Sequence, residues 1–399
     1  MDAEEFRRLA SGISSDPWSR VPEHIKPFLS NYTSVIDCHC HIFNETTVPK
    51  ALLNLRMPYT RKLALSIART LHFLNPRSND DWGSRNAYFI ELFNKSTREI
   101  TDKLLSYYPQ DAILTPLMMD MHNRADRNQR FNAEHYIIEQ TNEIRNLLTQ
   151  GYLLLPFFPA DPTFTEEKTG SNIFDLVYKA FTGGYGFIPF GLKVYPTLGY
   201  LPGHPLLMEI YRFAEEKNIP VTAHCSRGVV HAYFRRIRNI EGYKIGPDGR
   251  ETYAPESRTF ISGDSFARYF NHPKNWEAVL EKFPRLRLNL AHFGGFEQWY
   301  RFSKGENNTW PSRIMDFMHR YPNVYADLSF SNVYPVAYNI MRDRLEHDDV
   351  VRSRVLYGYD YYMCVVRGHF RSLRRDFESA MGNNIIREIS IDNTRKFLV

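Results

Sequence analysis

The chain has 399 residues, 43% hydrophobic and 15% aromatic, so it can bury a large core and is neither disordered nor fibrous in composition. Its 50 basic and 45 acidic residues give a net charge of +5, spread along the chain, which argues against nucleic acid or a membrane as partner. A small-molecule substrate is the better expectation. Four cysteines are too few for a disulfide scaffold, and the first residues lack the apolar core of a secretory signal. We therefore expect a cytoplasmic protein with free thiols, and a homo-oligomer stays open.

Eight segments have the composition of β-strands and alternate with segments of helical spacing. The strands are predicted at residues 35–43, 112–119, 152–158, 190–195, 219–224, 286–292, 324–330 and 355–359. Several are continuous apolar runs, which is typical of parallel strands covered by helices on both faces. Eight parallel strands with right-handed crossovers predict an α/β fold, a closed (β/α)8 TIM barrel with its reactive groups at the carboxyl ends of the strands. A doubly wound open sheet is the alternative, but no glycine-rich fingerprint follows the first strand.

The spacing of the predicted strands also predicts the domain organisation. We expect an N-terminal arm at 1–33 and a single barrel domain at 34–399, with insertions at about 44–111 and 225–275. In the first insertion, helices are predicted at 61–74 and 86–107. Either insertion could be a lid over the barrel mouth or a surface decoration. The second is rich in aromatic and basic residues, which favours a lid there.

The first predicted strand contains the pattern Asp-Cys-His-Cys-His. Successive side chains of a strand point to opposite faces, so His39 and His41 point the same way. Two imidazoles on one face supply half of a metal site, although strand histidines are more often surface or core residues. Three later strands end in, or are followed by, a histidine or a carboxylate, at His224, His292 and Asp360. This recurrence favours a metal.

Three further polar residues lie near the carboxyl ends of predicted strands. Lys193 lies on an otherwise apolar strand, and Tyr195 shares its face by the period of two. A buried lysine is unfavourable unless it is paired or chemically altered, so a salt bridge to Asp37 or Asp327 and a role at the metal are both open. Arg227 follows the fifth strand and could hold a substrate carboxylate, or form an ion pair that anchors the second insertion.

As a set, these motifs resemble the amidohydrolase superfamily. Within it, Gly-Leu-Lys-Val-Tyr-Pro around Lys193, Pro-Val-Thr-Ala-His-Cys-Ser around His224 and Leu-Ala-His-Phe-Gly-Gly around His292 are similar to the amidohydrolase-2 (amidohydrolase-related) family. The resemblance runs from about residue 35 to the C-terminus. It implies a (β/α)8 barrel with one or two divalent ions, commonly zinc. The ligands that it implies are His39, His41, His224 and Asp360.

The resemblance leaves the number of ions open. If Lys193 is carboxylated, as in the binuclear members, it bridges a second ion that His224 and His292 then bind. In single-metal members the matching strand-six histidine serves the substrate, and we favour that arrangement for His292.

We consider three functional hypotheses. The first is a hydrolase that uses metal-activated water to cleave an amide, ester or lactone-type C–N or C–O bond, with Asp360 moving the proton and His292 with Lys193 or Arg227 stabilising the oxyanion. The second is a decarboxylase or hydratase, a lyase acting on a carboxylate-bearing substrate. In either enzyme, Arg227 and Tyr195 are expected to contact the substrate. The third is a non-catalytic metal-binding barrel.

Overall fold

The computed structural model describes residues 1–47, 88–89, 91–120, 134–164, 171–227, 236–246, 249–253 and 255–399. The helix predicted at 61–74 lies outside the described residues, as do residues 86, 87 and 90 of the helix predicted at 86–107. The latter prediction is wrong in its extent, because the chain leaves the helical conformation at 94–96 and a new helix, Thr97–Leu105, begins at the Ser96 cap. No helix in the described part of the chain is long and apolar enough to cross a membrane. All four cysteines are buried free thiols, as the sequence predicted.

The strands of the described residues form one large barrel and two small ribbons. They are β1 Ile36–Cys40, β2 Ile113–Pro116, β3 Phe157–Pro159, β4 Gly191–Val194, β5 Val221–Ser226, β6 Arg236–Ile240, β7 Tyr243–Ile245, β8 Glu251–Tyr253, β9 Glu256–Thr259, β10 Leu288–Gly294, β11 Val324–Asp327 and β12 Val355–Leu356. The eight predicted strands correspond to β1 to β5 and β10 to β12. The order β12-β11-β10-β5-β4-β3 forms one parallel sheet, and β1 pairs in parallel with β2.

Backbone hydrogen bonds close these two sheets into a ring. The amide of Cys38 donates to the carbonyl of Tyr357 over 2.9 Å, which joins β1 to the chain just after β12. The amide of Leu155 donates to the carbonyl of Leu114 over 2.9 Å, which joins β2 to the chain just before β3. With both junctions bonded, the strands close in chain order, and the predicted (β/α)8 TIM barrel is confirmed.

Helices alternate with the barrel strands. They span Ala3–Ala10, Thr97–Leu105, His135–Thr149, Ile173–Phe181, Pro205–Glu216, Gly263–Asn271, Glu277–Lys282, Phe296–Ser303, Trp310–Arg320, Tyr338–His347, Asp349–Arg352, Phe370–Met381, Asn383–Arg387 and Asn393–Leu398. Short turns of 3-10 or π geometry lie at Pro17–Arg20, Phe28–Tyr32, Pro196–Leu198, Pro273–Trp276, Ser331–Val333, Pro335–Ala337, Met363–Val366 and Glu388–Asp392.

Local sequence explains how such a helix begins. Pro205 occupies the first position of the helix Pro205–Glu216. An amide at this position has no acceptor within the helix, so the N–H that proline lacks is not missed. The preceding His204 caps the helix, because its Nδ1 accepts from the amide of Leu206 over 3.2 Å. The helix then buries an apolar face against the barrel, as the periodicity predicts.

The barrel interior is polar, whereas the layer between strands and helices is apolar. Side chains that alternate with the outward-facing apolar residues are fully or almost fully buried, and they include Asp37, Lys193, Thr222, Asn289 and Asp327. The amide of Asn289 links two of them, since Nδ2 donates to Thr222 over 3.3 Å and to Asp327 over 2.7 Å. This polar interior positions the candidate site.

The N-terminal residues pack on barrel helices. The ring of Phe6 is fully buried and lies 5.1 Å from Phe174 and 5.4 Å from Phe213, centroid to centroid. The guanidinium of Arg20 donates to the carbonyls of Lys217 and Asn218, at the end of the helix Pro205–Glu216. The division into an arm at 1–33 and a barrel at 34–399 stays a prediction.

The chain between β5 and β10 carries additional structure. There β6 pairs with β9 and β7 with β8, both antiparallel, and the helix Gly263–Asn271 follows. Phe266 and Phe270 of that helix are fully buried, beside Ile237 and Ile240 of β6. That this insertion acts as a lid stays a prediction, as does the extent of both insertions.

Candidate metal centre

Strand β1 and the residue that follows it place two buried imidazoles, His39 and His41, side by side. The Nδ1 of His39 lies 3.0 Å from Oδ2 of Asp327, and the Nδ1 of His41 lies 3.0 Å from the carbonyl of Leu117. A carboxylate and a carbonyl are acceptors, so each Nδ1 carries the hydrogen and donates it. The Nε2 of each neutral ring therefore presents a lone pair, which is the state that binds a metal.

Asp360, just beyond β12, meets these lone pairs. Its Oδ1 lies 3.3 Å from Nε2 of His41 and 3.8 Å from Nε2 of His39. The ligand atoms of the three residues lie within 4.8 Å of one another. Among the described residues, neither Oδ1 of Asp360 nor Nε2 of His39 has a hydrogen-bond partner. Buried polar atoms without partners are unfavourable, so this arrangement fits a cation.

Close contact between β1 and the end of β12 brings Asp360 into place. A side chain at Gly358 would put its Cβ 2.7 Å from Cβ of His39, so glycine is required there. The amide of Asp360 then donates to the carbonyl of His39 over 2.8 Å, with the backbone of Asp360 in the left-handed region at a φ of 57°. The sequence predicted Asp360 as a site residue, and this backbone contact explains why its carboxylate lies close to His39 and His41.

Burial controls the charges of this group. Burial lowers the pKa of His39, although Asp327 opposes the shift, and it lowers the pKa of His41 well below its usual value. Burial also raises the pKa of Asp360 well above its usual value, with Lys193 opposing the shift. Neutral imidazoles and an ionisable carboxyl are the forms that a cation would recruit as ligands.

His224 and His292 form a second pair beside the first. The Nδ1 of His292 lies 3.0 Å from the carbonyl of Ser329 and therefore donates to it. The Nε2 of His292 then accepts from Nδ1 of His224, 3.0 Å away. As a result, Nε2 of His224 also has a lone pair, and the hydroxyl of Ser226 contacts it at 3.1 Å.

The structure thus brings together all four predicted histidines, in two groups. The rings of His39 and His292 lie 4.7 Å apart, and those of His224 and His292 lie 4.5 Å apart. His224 is not part of the close group of His39, His41 and Asp360. Burial lowers the pKa of His292 to about 3, with His39 adding to the shift. The assignment of individual ligands stays a prediction.

Lys193 on β4 and Tyr195 just after it are both buried. Lys193 is 2% exposed, and its Nζ makes no hydrogen bond with any residue that the structure describes. The salt bridge to Asp37 or Asp327 that the sequence left open is therefore not formed. Burial lowers the pKa of Lys193 to about 8, against the opposing charges of Asp327 and Asp360. The ring of Tyr195 packs edge-on to His224 at 4.9 Å.

Arg227 forms the anchoring ion pair that was one of its two predicted roles. Its Nη2 donates to Oδ1 of Asp264 over 2.8 Å, and its Nη1 donates to Glu297. The guanidinium of Arg227 is therefore hydrogen-bonded to two carboxylates, those of Asp264 and Glu297. Its role in holding a substrate stays a prediction.

Sequence reasoning missed two residues at the end of β11 as parts of the site. Asp327 accepts from His39 and from the backbone amide of His292, each over 3.0 Å, and Ser329 contacts the rings of both histidines. Burial alone would raise the pKa of Asp327, but His39 and the hydrogen bonds outweigh it and lower the pKa below its usual range. The available signal was a carboxylate at the end of the seventh strand, with Ser329 on its face by the period of two.

Comparison with known proteins places this geometry in context. The sequence profile described as Amidohydrolase, that of the amidohydrolase-2 family, matches residues 176–398. An uncharacterised TIM-barrel protein of Bordetella bronchiseptica has a TM-score of 0.51 and 13% identity, covering 91% of this chain and 98% of its own. A 5-carboxyvanillate decarboxylase of Novosphingobium aromaticivorans, solved with manganese and a nitrobenzoic acid, has a TM-score of 0.52 and 13% identity, covering 91% and 96%. At this identity both likenesses show the fold. No curated protein gives a significant match.

Proposed function

Because the chain belongs to the amidohydrolase-2 family of enzymes, we propose that it is a metal-dependent hydrolase acting on an amide, ester or lactone-type bond of a small molecule. One observation carries the proposal. Lone pairs of His39, His41 and Asp360 converge in a buried space, and two of the three ligand atoms have no partner among the described residues. A divalent cation is the species that such a donor set binds.

We take zinc as the ion and expect one per chain. Imidazole nitrogen with carboxylate oxygen is a common donor set of catalytic zinc, and the lone pair on Nε2 of His224 would supply a fourth ligand. A second ion would need an anionic, carboxylated Lys193. Burial lowers the pKa of Lys193 to about 8, but the negative charges of Asp327 and Asp360 oppose the shift, so the lysine is still an ammonium at neutral pH. Manganese, as in the structurally similar decarboxylase, is the alternative ion.

Each residue around the candidate metal position has its own role in the proposed reaction. When bound, the cation supplies Lewis acidity, which polarises a substrate carbonyl and lets water lose a proton near neutral pH. Asp360, whose pKa burial raises, takes that proton and returns it to the leaving group. The ammonium of Lys193, buried and without a hydrogen-bond partner among the described residues, donates to the developing oxyanion. His292 orients His224, and its direct contact with substrate stays a prediction.

Removing a ligand tests the proposal. We expect His39→Ala to lose bound zinc, measured by elemental analysis, and to lose at least ~10³-fold in turnover on a panel of esters, lactones and amides. Asp360→Asn should lose about 10²- to 10⁴-fold, because the proton acceptor is gone. His347→Ala, which changes an exposed histidine on the helix Tyr338–His347, is the matched control. Wild-type turnover in a folded His39→Ala or Asp360→Asn protein would refute the proposal.

A lyase on the same scaffold is the second candidate function. The ammonium of Lys193 is close enough to Asp360 and His41 to act on their pKa values, and the ring of Tyr195 packs on His224. This pair would suit a substrate that carries a carboxylate on an unsaturated or aromatic system. Release of carbon dioxide from a panel of such acids would distinguish a decarboxylase from a hydrolase. If no acid of the panel is consumed, the hydrolase stands alone.

A further inference from the structure

Asp327 is saturated by hydrogen-bond donors. Its Oδ1 accepts from the amide of His292 over 3.0 Å, from the amide of Ser329 over 3.1 Å and from the hydroxyl of Ser329. Its Oδ2 accepts from Nδ1 of His39 over 3.0 Å and from Nδ2 of Asn289 over 2.7 Å. A carboxylate offers about four lone-pair sites. Five donors leave none for a cation.

This saturation separates the roles of two buried carboxylates. His39, His292 and Asp327 lie close enough together to hold an ion by distance alone. These three residues are nevertheless joined by hydrogen bonds, because His39 turns its protonated nitrogen, Nδ1, toward Asp327. A protonated nitrogen has no lone pair for an ion. Asp360 differs, since its Oδ1 has no hydrogen-bond partner in the described part of the chain. Asp360 is therefore suited to bind the ion and Asp327 to organise its ligands.

Ser329 connects two histidines to that centre. Its hydroxyl donates to Asp327, so its Oγ accepts from other groups. Nδ1 of His39 lies 3.0 Å from this Oγ, and Nδ1 of His292 lies 2.9 Å from it. Both rings therefore direct their single hydrogen toward β11. Their lone pairs are fixed at Nε2, which faces Asp360 in one ring and His224 in the other.

We propose that Asp327 and Ser329 are positioning residues that fix the tautomer and ring orientation of His39 directly and of His224 through His292. The inference rests on the proposed function in one respect, since the purpose of the fixed Nε2 lone pairs is to bind the cation. Groups that orient metal-binding histidines in this way typically change metal affinity by 10- to 100-fold when they are replaced.

Two substitutions and a matched control test this role by zinc binding. The control is Ser331→Ala, because Ser331 is also a buried serine that contacts His292, but it donates to the backbone carbonyl over 2.8 Å and not to the ring. In competition with a chromophoric chelator, we expect Ser329→Ala and Asp327→Asn to bind Zn²⁺ about 10- to 100-fold more weakly than wild type. We expect Ser331→Ala to stay within about twofold, because no ring contact is lost. Should Asp327→Asn fail to fold, Ser329→Ala decides.

The tautomers themselves give a readout that needs no metal. In metal-free protein with ¹⁵N-labelled histidine, we expect NMR to show His39 and His292 as Nδ1–H tautomers, and a mixture of tautomers in Asp327→Asn. Wild-type zinc affinity in both variants, or Nε2–H tautomers in the wild type, would overturn the inference. A wild-type protein that binds no divalent ion would defeat the proposed function instead, and the tautomers would still decide the positioning role.

Discussion

The guanidinium of Arg227 donates to Oδ1 of Asp264 over 2.8 Å, so the residue that follows β5 is tied to the helix Gly263–Asn271. Glu297, on the helix after β10, accepts from the same guanidinium. The Arg227 side chain is only 14% exposed, whereas both carboxylates are about half exposed. The guanidinium of Arg227 thus joins the end of β5 to the helix Gly263–Asn271 and to the helix Phe296–Ser303.

Loss of the Arg227 guanidinium should loosen the inserted segment between β5 and β10. We expect Arg227→Ala to increase the rate of proteolytic cleavage within residues 236–271 several-fold, since a partly exposed pair of this kind contributes up to about 1 kcal/mol. Limited proteolysis with mass spectrometry measures it, with exposed Arg238→Ala on β6 as control. Unchanged cleavage together with a raised KM would instead favour contact between Arg227 and the substrate.

Replacement of Lys193 should leave the metal content unchanged. Lys193→Met preserves the length of the side chain and removes the ammonium, so we expect one ion per chain in both wild type and variant, and a lower kcat in the variant. Elemental analysis gives the stoichiometry, and the intact mass of the native protein shows whether carbon dioxide has been added. Two ions in the wild type that fall to one or none in Lys193→Met would show that the lysine is carboxylated.

His204 should make the protein sensitive to acid. Its Nδ1 must be unprotonated to accept from Leu206, and burial lowers its pKa to about 4. The unfolded chain takes up this proton near pH 6.5, so the stabilising contribution is complete above that pH and is lost as pH falls from about 6.5 to 4. In His204→Asn, which retains a capping side chain, the loss of unfolding free energy between pH 7 and 4.5 should be smaller by on the order of 2 kcal/mol. Parallel pH profiles from urea unfolding would contradict this.

The N-terminal helix should contribute to the stability of the barrel. Truncation of the buried ring in Phe6→Ala removes its contacts with Phe174 and Phe213, and we expect a loss of about 3 kcal/mol in unfolding free energy. Phe6→Leu, which retains most of the volume, should lose about 1 kcal/mol. If residues 1–33 form a separate arm in energetic terms, chemical denaturation will show an unchanged main transition in both variants.

Sequence periodicity predicted much of this architecture because the barrel repeats one simple unit. His39 and His41 were found from the period of two, and His292 and Asp360 from their positions at strand ends. The residues at which strands begin and end were harder to predict. The strand predicted at 152–158 is observed as a strand only at Phe157–Pro159, while Leu154 forms an isolated bridge with Leu114 of β2. Pro156 lies between the two and has no amide hydrogen with which to continue the ladder.

The residues that the sequence left undecided depend on distances across the barrel. A carboxylate at position 327 is visible in the sequence, but its five donor groups come from β1, from β10 and from Ser329 after β11, so only the closed ring shows that its lone pairs are used. The two roles of Arg227 were equally compatible with its position in the chain. The placement of Asp264 and Glu297 around it depends on how the inserted segment folds.

The contact of Gly358 with His39 has a consequence for synthesis. The candidate ligands include His39 of the first strand and Asp360 just after the last, so a nascent chain has no complete set until its final strand has left the ribosome and docked beside the first. Capture of the ion would then mark the completion of folding, and a fragment truncated before Val355 could not compete with the finished protein for scarce metal in the cell.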